Sequence, residues 1–381
     1  RGLGDVYKRQ IERVAYMSFK DKLSQRFSWV LIGFLVIFIA SVLFTLSNAR
    51  FYRMPIGEIT QITHQKAVPV TDEHHNEDTK HTEHLKFKIL NGKFEGQTGT
   101  IAHKYYASQA DSEKFHTHDK VLLHINQSPK DATIIEKKRD TLVVVITGLF
   151  VLVVLWVGRK VGIQSILSLV LNTAAVIGAI ALHNAFQGLS LFWLMSLAVV
   201  ISTIITLLLV TGWHWRTTIT IFSTLLGTFI CVGIAEIVIR STAGAGIKYE
   251  TMSFLTLPPK EVFMASVIVG TLGAVMDVAI TIASGMYEIK QRTPDIDLKR
   301  WALAGRHIGQ DIMGTMTNIL LFSYLAGSLP MMLIYLRNAN TITYTISMNW
   351  SLEIARALIG GIGIVLTIPA TIVLMLSLIH I

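Results

Sequence analysis

Eight apolar runs, each long enough to cross a lipid bilayer, constrain this chain more than any other feature. They cover residues 28–47, 142–158, 161–182, 189–211, 217–239, 261–286, 312–336 and 352–375. About twenty apolar residues suffice to cross the hydrocarbon core as a helix. Only 15% of the residues are charged, against roughly 25% in soluble domains. We therefore predict an α-helical polytopic membrane protein with about eight transmembrane helices, embedded in the lipid bilayer.

The basic residues beside these runs predict the orientation. Lys20, Lys22 and Arg26 precede the first run, so the positive-inside rule places the N-terminus in the cytoplasm. Alternation from there puts residues 49–139 outside and a basic loop, residues 287–310, inside. A cleaved signal peptide is the competing interpretation of the first run, which is long for a signal sequence and lacks a small-x-small cleavage site. The net charge of +9 comes from short clusters of basic residues beside the apolar runs, as membrane topology requires, and we do not read it as nucleic-acid binding.

Residues 49–139 are polar and contain no run long enough to span a membrane. The segment LKFKILNGKFEGQTGTIAHKYY alternates apolar and polar residues and carries a hairpin-turn signal at Asn91-Gly92. A further strand is predicted at KVLLHIN. We predict a small extracellular β-rich domain, a barrel or a sandwich, between the first two helices. The two ends of the chain, 1–10 and 376–381, resemble translated adapter tails and are set aside as non-native.

Two polar stripes interrupt the sixth and seventh runs. Steps of three or four residues place the members of each stripe on one helical face. The first stripe consists of Gly273, Asp277, Thr281, Ser284 and Glu288, and the second of Asp311, Thr315 and Asn318. Either the stripes form a site that binds a coupling proton or cation, or they only hold helices together. If the two helices are neighbours, the stripes are expected to face each other.

Other polar positions extend this hypothesis. Arg306 precedes Asp311 by about one turn and either pairs with it or makes a solvated contact, the interpretation that we favour. Arg356 either pairs with a carboxylate on another helix or snorkels to the interface. In the third run, one face carries Ser165, Ser168 and Asn172. In the eighth run, the three glycines Gly360, Gly361 and Gly363 predict tight helix packing.

Metal binding and catalysis have little support in the sequence. Histidines cluster in the outer domain, and six of them are weak candidate metal ligands: His74, His75, His81, His84, His116 and His118. The single Cys231 allows no intramolecular disulfide. The chain has no phosphate-binding glycine loop, zinc-protease helix or serine nucleophile elbow. We therefore predict no enzymatic activity and no cofactor.

Three segments resemble the signature blocks of the YibE/F family of multi-pass bacterial membrane proteins. They are GAVMDVAITIAS followed by Glu288, GRHIGQDIMGTMTNILLFSY, and IGGIGIVLTIP. The resemblance covers roughly residues 85–372. This chain has Gln310 where the family usually has an arginine, and Ile319 where it favours a threonine. The resemblance implies a helical bundle with an outer domain, in the plasma membrane of a bacterium and most often a Gram-positive one. It implies no substrate.

Two hypotheses for the function follow. In the first, the chain is a transporter or a permease component with a polar intramembrane site around Asp277 and Asp311. In the second, it is a non-transporting membrane scaffold or sensor whose extracellular domain binds a ligand or partner. Either protein could assemble with copies of itself or with other membrane subunits.

Overall fold

The computed structural model describes residues 29–109, 112–186, 188–249 and 258–378. It divides the chain into two compact units, Arg1–Ile163 and Gln164–Ile381. Among the described residues, seven helices are long and apolar enough to cross a membrane, and a small antiparallel sheet lies near the N-terminus. The predicted tail at 1–10, the cations before the first run and residues 379–381 lie outside the described ranges. The helical membrane class and the β-rich segment are confirmed.

Among its described residues, the first unit contains one complete apolar helix, a five-stranded sheet and the beginning of the next helix. Helix α1 runs from Trp29–Phe51. The strands are β1 (Ile56–Thr71), β2 (Glu77–Ile89), β3 (Thr98–Tyr106), β4 (Lys120–His124) and β5 (Thr133–Lys137). They form one antiparallel sheet in the order β3-β2-β1-β4-β5, in place of the predicted barrel or sandwich.

The alternation seen in the sequence produces the core of this sheet. Leu85, Phe87 and Ile89 of β2 all point to the buried face, as the two-residue period of a strand requires. The predicted turn at Asn91-Gly92 lies in the connection between β2 and β3, where Gly92 has a φ of +82°. The buried Asn91 side chain accepts from the Ile56 N–H at 2.6 Å, and so ties the connection to the start of β1.

A buried lysine fastens the sheet to the neighbouring helices. The Lys138 side chain is only 3% exposed, and its ammonium donates to the Thr45 carbonyl at 2.5 Å and to Asp140 at 2.6 Å. The Asn48 amide donates to the same carboxylate at 2.8 Å. Carbonyls at a helix C-terminus lack intrahelical partners and attract cations. Lys138 therefore satisfies the end of α1 while it binds the residue that begins the next helix.

Helix α2, Asp140–Ala185, covers the second and third predicted runs and is broken at Arg159. Arg159 has φ 48° and ψ −125°, which no helix accommodates. A Cβ on Gly162 would collide with the Val154 carbonyl oxygen. In a straight helix these two residues would lie about 12 Å apart along the axis. The chain therefore turns sharply at Arg159, at the boundary between the two predicted runs.

The second unit is a helical bundle built around one central helix. After the end of α2, its helices are α3 (Leu191–Thr211), α4 (Trp215–Ser241), α5 (Pro259–Arg292), α6 (Leu298–Arg337), α7 (Ile342–Thr345) and α8 (Ser351–Leu378). A single π-helical turn, Ile346–Trp350, joins α7 to α8. In the most apolar part of α5, 61% of the residues are buried, against 39% or less in the corresponding part of each other span. The sixth predicted run is thus the centre of the bundle.

Glycines allow α4, α5 and α8 to approach closely. A Cβ on Gly363 would lie 3.1 Å from the Cys231 sulfur, and one on Gly360 would lie 2.9 Å from Thr271. A Cβ on Gly227 would collide with the Thr367 hydroxyl. Small residues at such contacts let helix backbones pack together in a membrane. The tight packing predicted for the glycines of α8 is confirmed at Gly360 and Gly363.

The prediction of a basic loop at residues 287–310 is wrong. Helix α5 continues to Arg292, α6 begins at Leu298, and only residues 293–297 connect them. Trp301 explains the difference, because its buried indole packs between the two helices and donates to the Met286 carbonyl at 2.9 Å. Hydropathy shows where an apolar run ends, whereas a helix continues for as long as one of its faces is packed.

Candidate functional site

Asp277 lines a cleft between three helices of the second unit. The cleft has a volume of about 500 Å3 and lies between α3, α5 and the part of α2 after residue 163. Its polar lining consists of Asn172, Thr173, Ser202, Thr206 and Asp277, and the rest is apolar apart from Gly273. On α5, the neighbouring Met276 and Val278 are buried in the bundle, so the carboxylate emerges where the helix surface opens.

The Asp277 carboxylate has no hydrogen-bond or ion-pair partner among the described residues. Thr281 lies one turn further along α5, but its hydroxyl donates to the Asp277 backbone carbonyl at 2.7 Å. An ionised side chain within a membrane span is costly unless it meets water, a counter-charge or a bound ligand. The carboxylate is therefore available to a proton, a cation or another ligand that enters the cleft.

A hydroxyl and amide cluster forms the wall of the cleft between α2 and α3. The Asn172 amide donates to the Thr206 hydroxyl at 2.8 Å, and Ser168 contacts the same hydroxyl at 2.7 Å. The other end of the Asn172 amide, Oδ1, is buried and has no partner in the described part of the chain. The cleft wall thus contains one buried carbonyl oxygen without a partner, and Asp277 supplies an unpaired carboxylate.

The sequence predicted part of this wall. Ser168 and Asn172 were expected on one face of the third run, and the structure places both beside α3, whereas Ser165 of the same face is exposed. Ser202 and Thr206 of α3 were not predicted. They lie four residues apart within an apolar run, and that spacing was the signal that could have revealed them.

The rest of the α5 stripe lies beyond the cleft. Ser284 is half-buried and does not line it. Glu288 is exposed and pairs with Arg292 at 2.6 Å, one turn along the same helix. The stripe therefore has one end at the cleft and the other among the cations at the end of α5.

The structure does not bring the α6 stripe into the cleft. Asp311, Thr315 and Asn318 are all exposed, and none of them lines it. The Thr315 hydroxyl donates to the Ile312 carbonyl at 2.9 Å. Helix α6 packs against its neighbours through a different face, which includes Gly309. The two helices are neighbours, so the condition for facing stripes is met, but the stripes do not form a shared buried surface.

Neither predicted cation pairs with Asp277 or Asp311. The Arg356 guanidinium bonds both carboxylate oxygens of Glu353 at 2.8 and 2.9 Å, on the same helix. Both side chains are largely buried, and the guanidinium lies 5.8 Å from the centre of the Phe263 ring. Arg306 is exposed and forms no ion pair with any described residue.

Among the described residues, the histidines of the sheet domain do not assemble into a metal centre. No group of three or more histidine, cysteine, aspartate or glutamate residues is positioned to hold a metal within the described ranges. Of the six weak candidates, His84 contacts Gln65 at 2.8 Å and His118 contacts Glu58 at 2.9 Å. The others lie as follows: His116 lies 3.8 Å from Asp119, His81 stacks on Tyr105, and His74 and His75 lie in the turn between β1 and β2.

One polar group in the sheet was missed by the sequence analysis. Glu83 is 1% exposed, accepts from the Tyr105 hydroxyl at 3.0 Å, and lies 2.6 Å from the His64 imidazole. Burial and this carboxylate raise the pKa of Tyr105 above its usual value. The strand register brings the three residues together, because His64 is directly opposite Glu83 on β1 and β2.

Two family models match this architecture. Residues 146–380 match the YibE/F-like protein model, and residues 50–137 match the YibE/F family N-terminal domain. The chain belongs to the YibE/F family. The N-terminal match ends at Lys137, the last residue of β5, so the sheet is the N-terminal domain of the family. The helices from α2 onward form the rest. No curated protein and no solved structure is significantly similar to the chain.

Proposed function

We propose that this YibE/F family member is a transporter or a permease component, and that the cleft beside Asp277 binds the substrate or a coupling cation. The observation that carries the proposal is the unpaired carboxylate on a membrane-length helix, facing a cleft of about 500 Å3. A charged aspartate at the centre of a transmembrane helix costs about 3 kcal/mol on insertion scales. A packing role would offset that cost with a hydrogen-bond donor, and the described residues supply none.

The chemistry of the cleft favours a small cation or a proton. Asp277 offers a negative charge, and the buried Asn172 carbonyl oxygen behind the lining has no partner among the described residues that would compete with a ligand. The hydroxyls of Ser202 and Thr206 add further oxygen atoms to the lining. Oxygen ligands of this kind replace the hydration shell of hard cations, and a lone carboxylate can carry a proton. We propose no enzymatic step, since the cleft contains no nucleophile beside a general base.

The proposal places the protein in a bacterial plasma membrane, with eight spans and a cytoplasmic N-terminus. The sharp turn at Arg159 supports two separate spans within α2. The two cations at this turn, Arg159 and Lys160, suit the cytoplasmic side. The sheet domain then lies outside. Single cysteines at Lys93 in the connection between β2 and β3 and at Lys299 in α6, in a Cys231→Ser background, test this topology. A membrane-impermeant maleimide should label residue 93 only in intact cells. Labelling of residue 299 from outside would contradict the orientation.

The transport proposal is tested with the full chain reconstituted into vesicles. An imposed inside-negative potential drives cations inward, and entrapped dyes report protons and sodium ions separately. Asp277→Asn should reduce the wild-type flux to that of empty vesicles. Asp295→Asn removes an exposed carboxylate in the 293–297 connection and should retain the flux. Equal flux through wild type and Asp277→Asn would remove the proposed role of the cleft.

A sensor or scaffold remains the second candidate function, and the junction at Lys138 favours it. Its buried ammonium joins the sheet to the end of α1 and to Asp140 at the start of α2. A ligand bound to the sheet could therefore change the position of the two helices. If the vesicles conduct no cation, and Lys138→Met alters the exposure of cysteines placed in α1, the sensor function is the better account.

A further inference from the structure

A second groove, independent of the Asp277 cleft and of the transport proposal, lies between α6 and α8. Its volume is about 470 Å3. The α8 wall is wholly apolar and consists of Val365, Leu366, Ile368, Pro369, Ile372 and Val373. The α6 wall carries two polar side chains, Arg306 and Gln310, one turn apart. The groove therefore has one hydrocarbon side and one cationic edge.

Close packing beneath the groove fixes its floor. A Cβ on Gly309 would lie 2.5 Å from Ile368, and one on Gly305 would lie 3.1 Å from Ile372. The two helices cross tightly along this line, so the groove runs beside the contact and not through it. Its α6 lining extends from Ala302 to Met313, a length of about 16 Å. That length accommodates a large part of an extended acyl chain.

Arg306 is available to an anionic ligand. It makes no ion pair with any described residue, whereas Arg240, Arg292 and Arg356 each bond a glutamate on their own helix. Lys299 lies seven residues before Arg306 and therefore on the same helical face, adding a second cation beyond the groove. A guanidinium can bind a phosphate through two parallel hydrogen bonds.

We propose that this groove binds one anionic phospholipid, with its phosphate on Arg306 and Gln310 and an acyl chain along the apolar wall of α8. The charge of the edge selects an anion, and the hydrocarbon wall selects a lipid over a free phosphate, which would leave the wall uncovered. Basic pockets between transmembrane helices bind anionic headgroups for the same reasons.

The proposal is tested by native mass spectrometry of the full chain in detergent, with added phosphatidylglycerol or phosphatidylcholine of identical chains. The wild type should retain phosphatidylglycerol in preference. Arg306→Gln should weaken that binding by roughly fivefold, since one cation near an anionic headgroup contributes on that order. Arg306→Lys keeps the charge and should recover part of the preference. Arg300→Gln, an exposed cation off the groove face, should change binding by less than about twofold.

A second variant tests the apolar wall. Val373 is exposed in the groove, so Val373→Trp should fill it and reduce the binding of both lipids without disturbing the buried packing. Equal retention of the two lipids by the wild type, or equal effects of Arg306→Gln and Arg300→Gln, would overturn the proposal. Displacement of the lipid by soluble glycerol phosphate would show an anion site without a lipid. Loss of a dimer in the Val373 variant, with lipid binding unchanged, would assign the groove to a second copy of the chain.

Discussion

The Asn172 amide donates a 2.8 Å hydrogen bond to the Thr206 hydroxyl, and this contact joins α2 to α3 beside the cleft. Ser168 contacts the same hydroxyl at 2.7 Å, so Thr206 is the common partner of two α2 side chains. These polar contacts tie α2 to α3 at one wall of the cleft, and Asp277 of α5 lines the same cleft. The geometry of the candidate site thus depends on a small hydrogen-bonded cluster.

Thr206→Val should weaken this cluster with little change of volume. We expect a loss of about 0.6–1.5 kcal/mol in the free energy of unfolding, since interhelical hydrogen bonds in membranes contribute in that range. Thermal unfolding in detergent measures the change. Thr173→Val is the matched control, because the Thr173 hydroxyl donates to the Leu169 carbonyl of its own helix. Additive effects of Asn172→Ala and Thr206→Val in a double-mutant cycle would contradict the coupling.

Trp301 should be the residue that fixes the α5–α6 hairpin. Its indole is fully buried and bonds the Met286 carbonyl, so Trp301→Ala should cost about 3–5 kcal/mol in the free energy of unfolding. Trp301→Phe keeps the ring and loses the hydrogen bond, so its cost should be about 1–3 kcal/mol. Arg300→Ala is the exposed neighbour and should change stability by less than about 0.5 kcal/mol. Equal free energies of unfolding for Trp301→Ala and Arg300→Ala would show that Trp301 does not hold α5 and α6 together.

Lys138→Met should destabilise the first unit. The substitution leaves Asp140 without its ammonium partner in a largely buried position, and breaking such a pair costs about 3–5 kcal/mol. Denaturant unfolding in detergent, followed through the circular dichroism of the sheet, measures the loss. The adjacent Lys137→Met removes a more exposed pair with Asp119 and should cost less. The reverse ranking of the two variants would contradict the role of Lys138 at the end of α1.

The end of the sheet should loosen in acid through Asp78. Its carboxylate accepts from the Ser108 hydroxyl at 2.5 Å and from the Thr79 N–H at 2.7 Å. These bonds lower the pKa of Asp78 below its ordinary value of 3.8, chiefly through Ser108. A lowered pKa gives stability that is present above that ordinary value and is lost as pH falls through the folded value.

Hydrogen exchange of the β2–β3 region measures this effect. At neutral pH the wild type should show greater protection than Asp78→Asn, after correction for intrinsic exchange rates. The two proteins should converge once Asp78 is protonated in the wild type. A difference that persists unchanged below the folded pKa would mean that the charge of Asp78 is not what holds the segment.

Much of the architecture could be predicted from the sequence, because hydropathy and alternation report directly on burial. The helical runs, the sheet and the stripe that contains Asp277 are examples. The partners of each stripe could not be predicted. Asp277 and Asp311 have similar spacing patterns, yet only Asp277 lines the cleft, since periodicity identifies a helical face and not what the face contacts. Likewise, strand register alone places His64 opposite Glu83.

The role of the cleft is decided by cation flux into vesicles that contain the wild type, Asp277→Asn or Asp311→Asn. Both substitutions remove a carboxylate from a membrane-length helix, but only Asp277 lines the cleft. If the cleft is the transport site, Asp277→Asn vesicles should conduct no more than empty vesicles, while Asp311→Asn vesicles should conduct as the wild type does. Wild-type flux through Asp277→Asn, or equal losses in the two variants, would contradict the assignment of the cleft as the transport site.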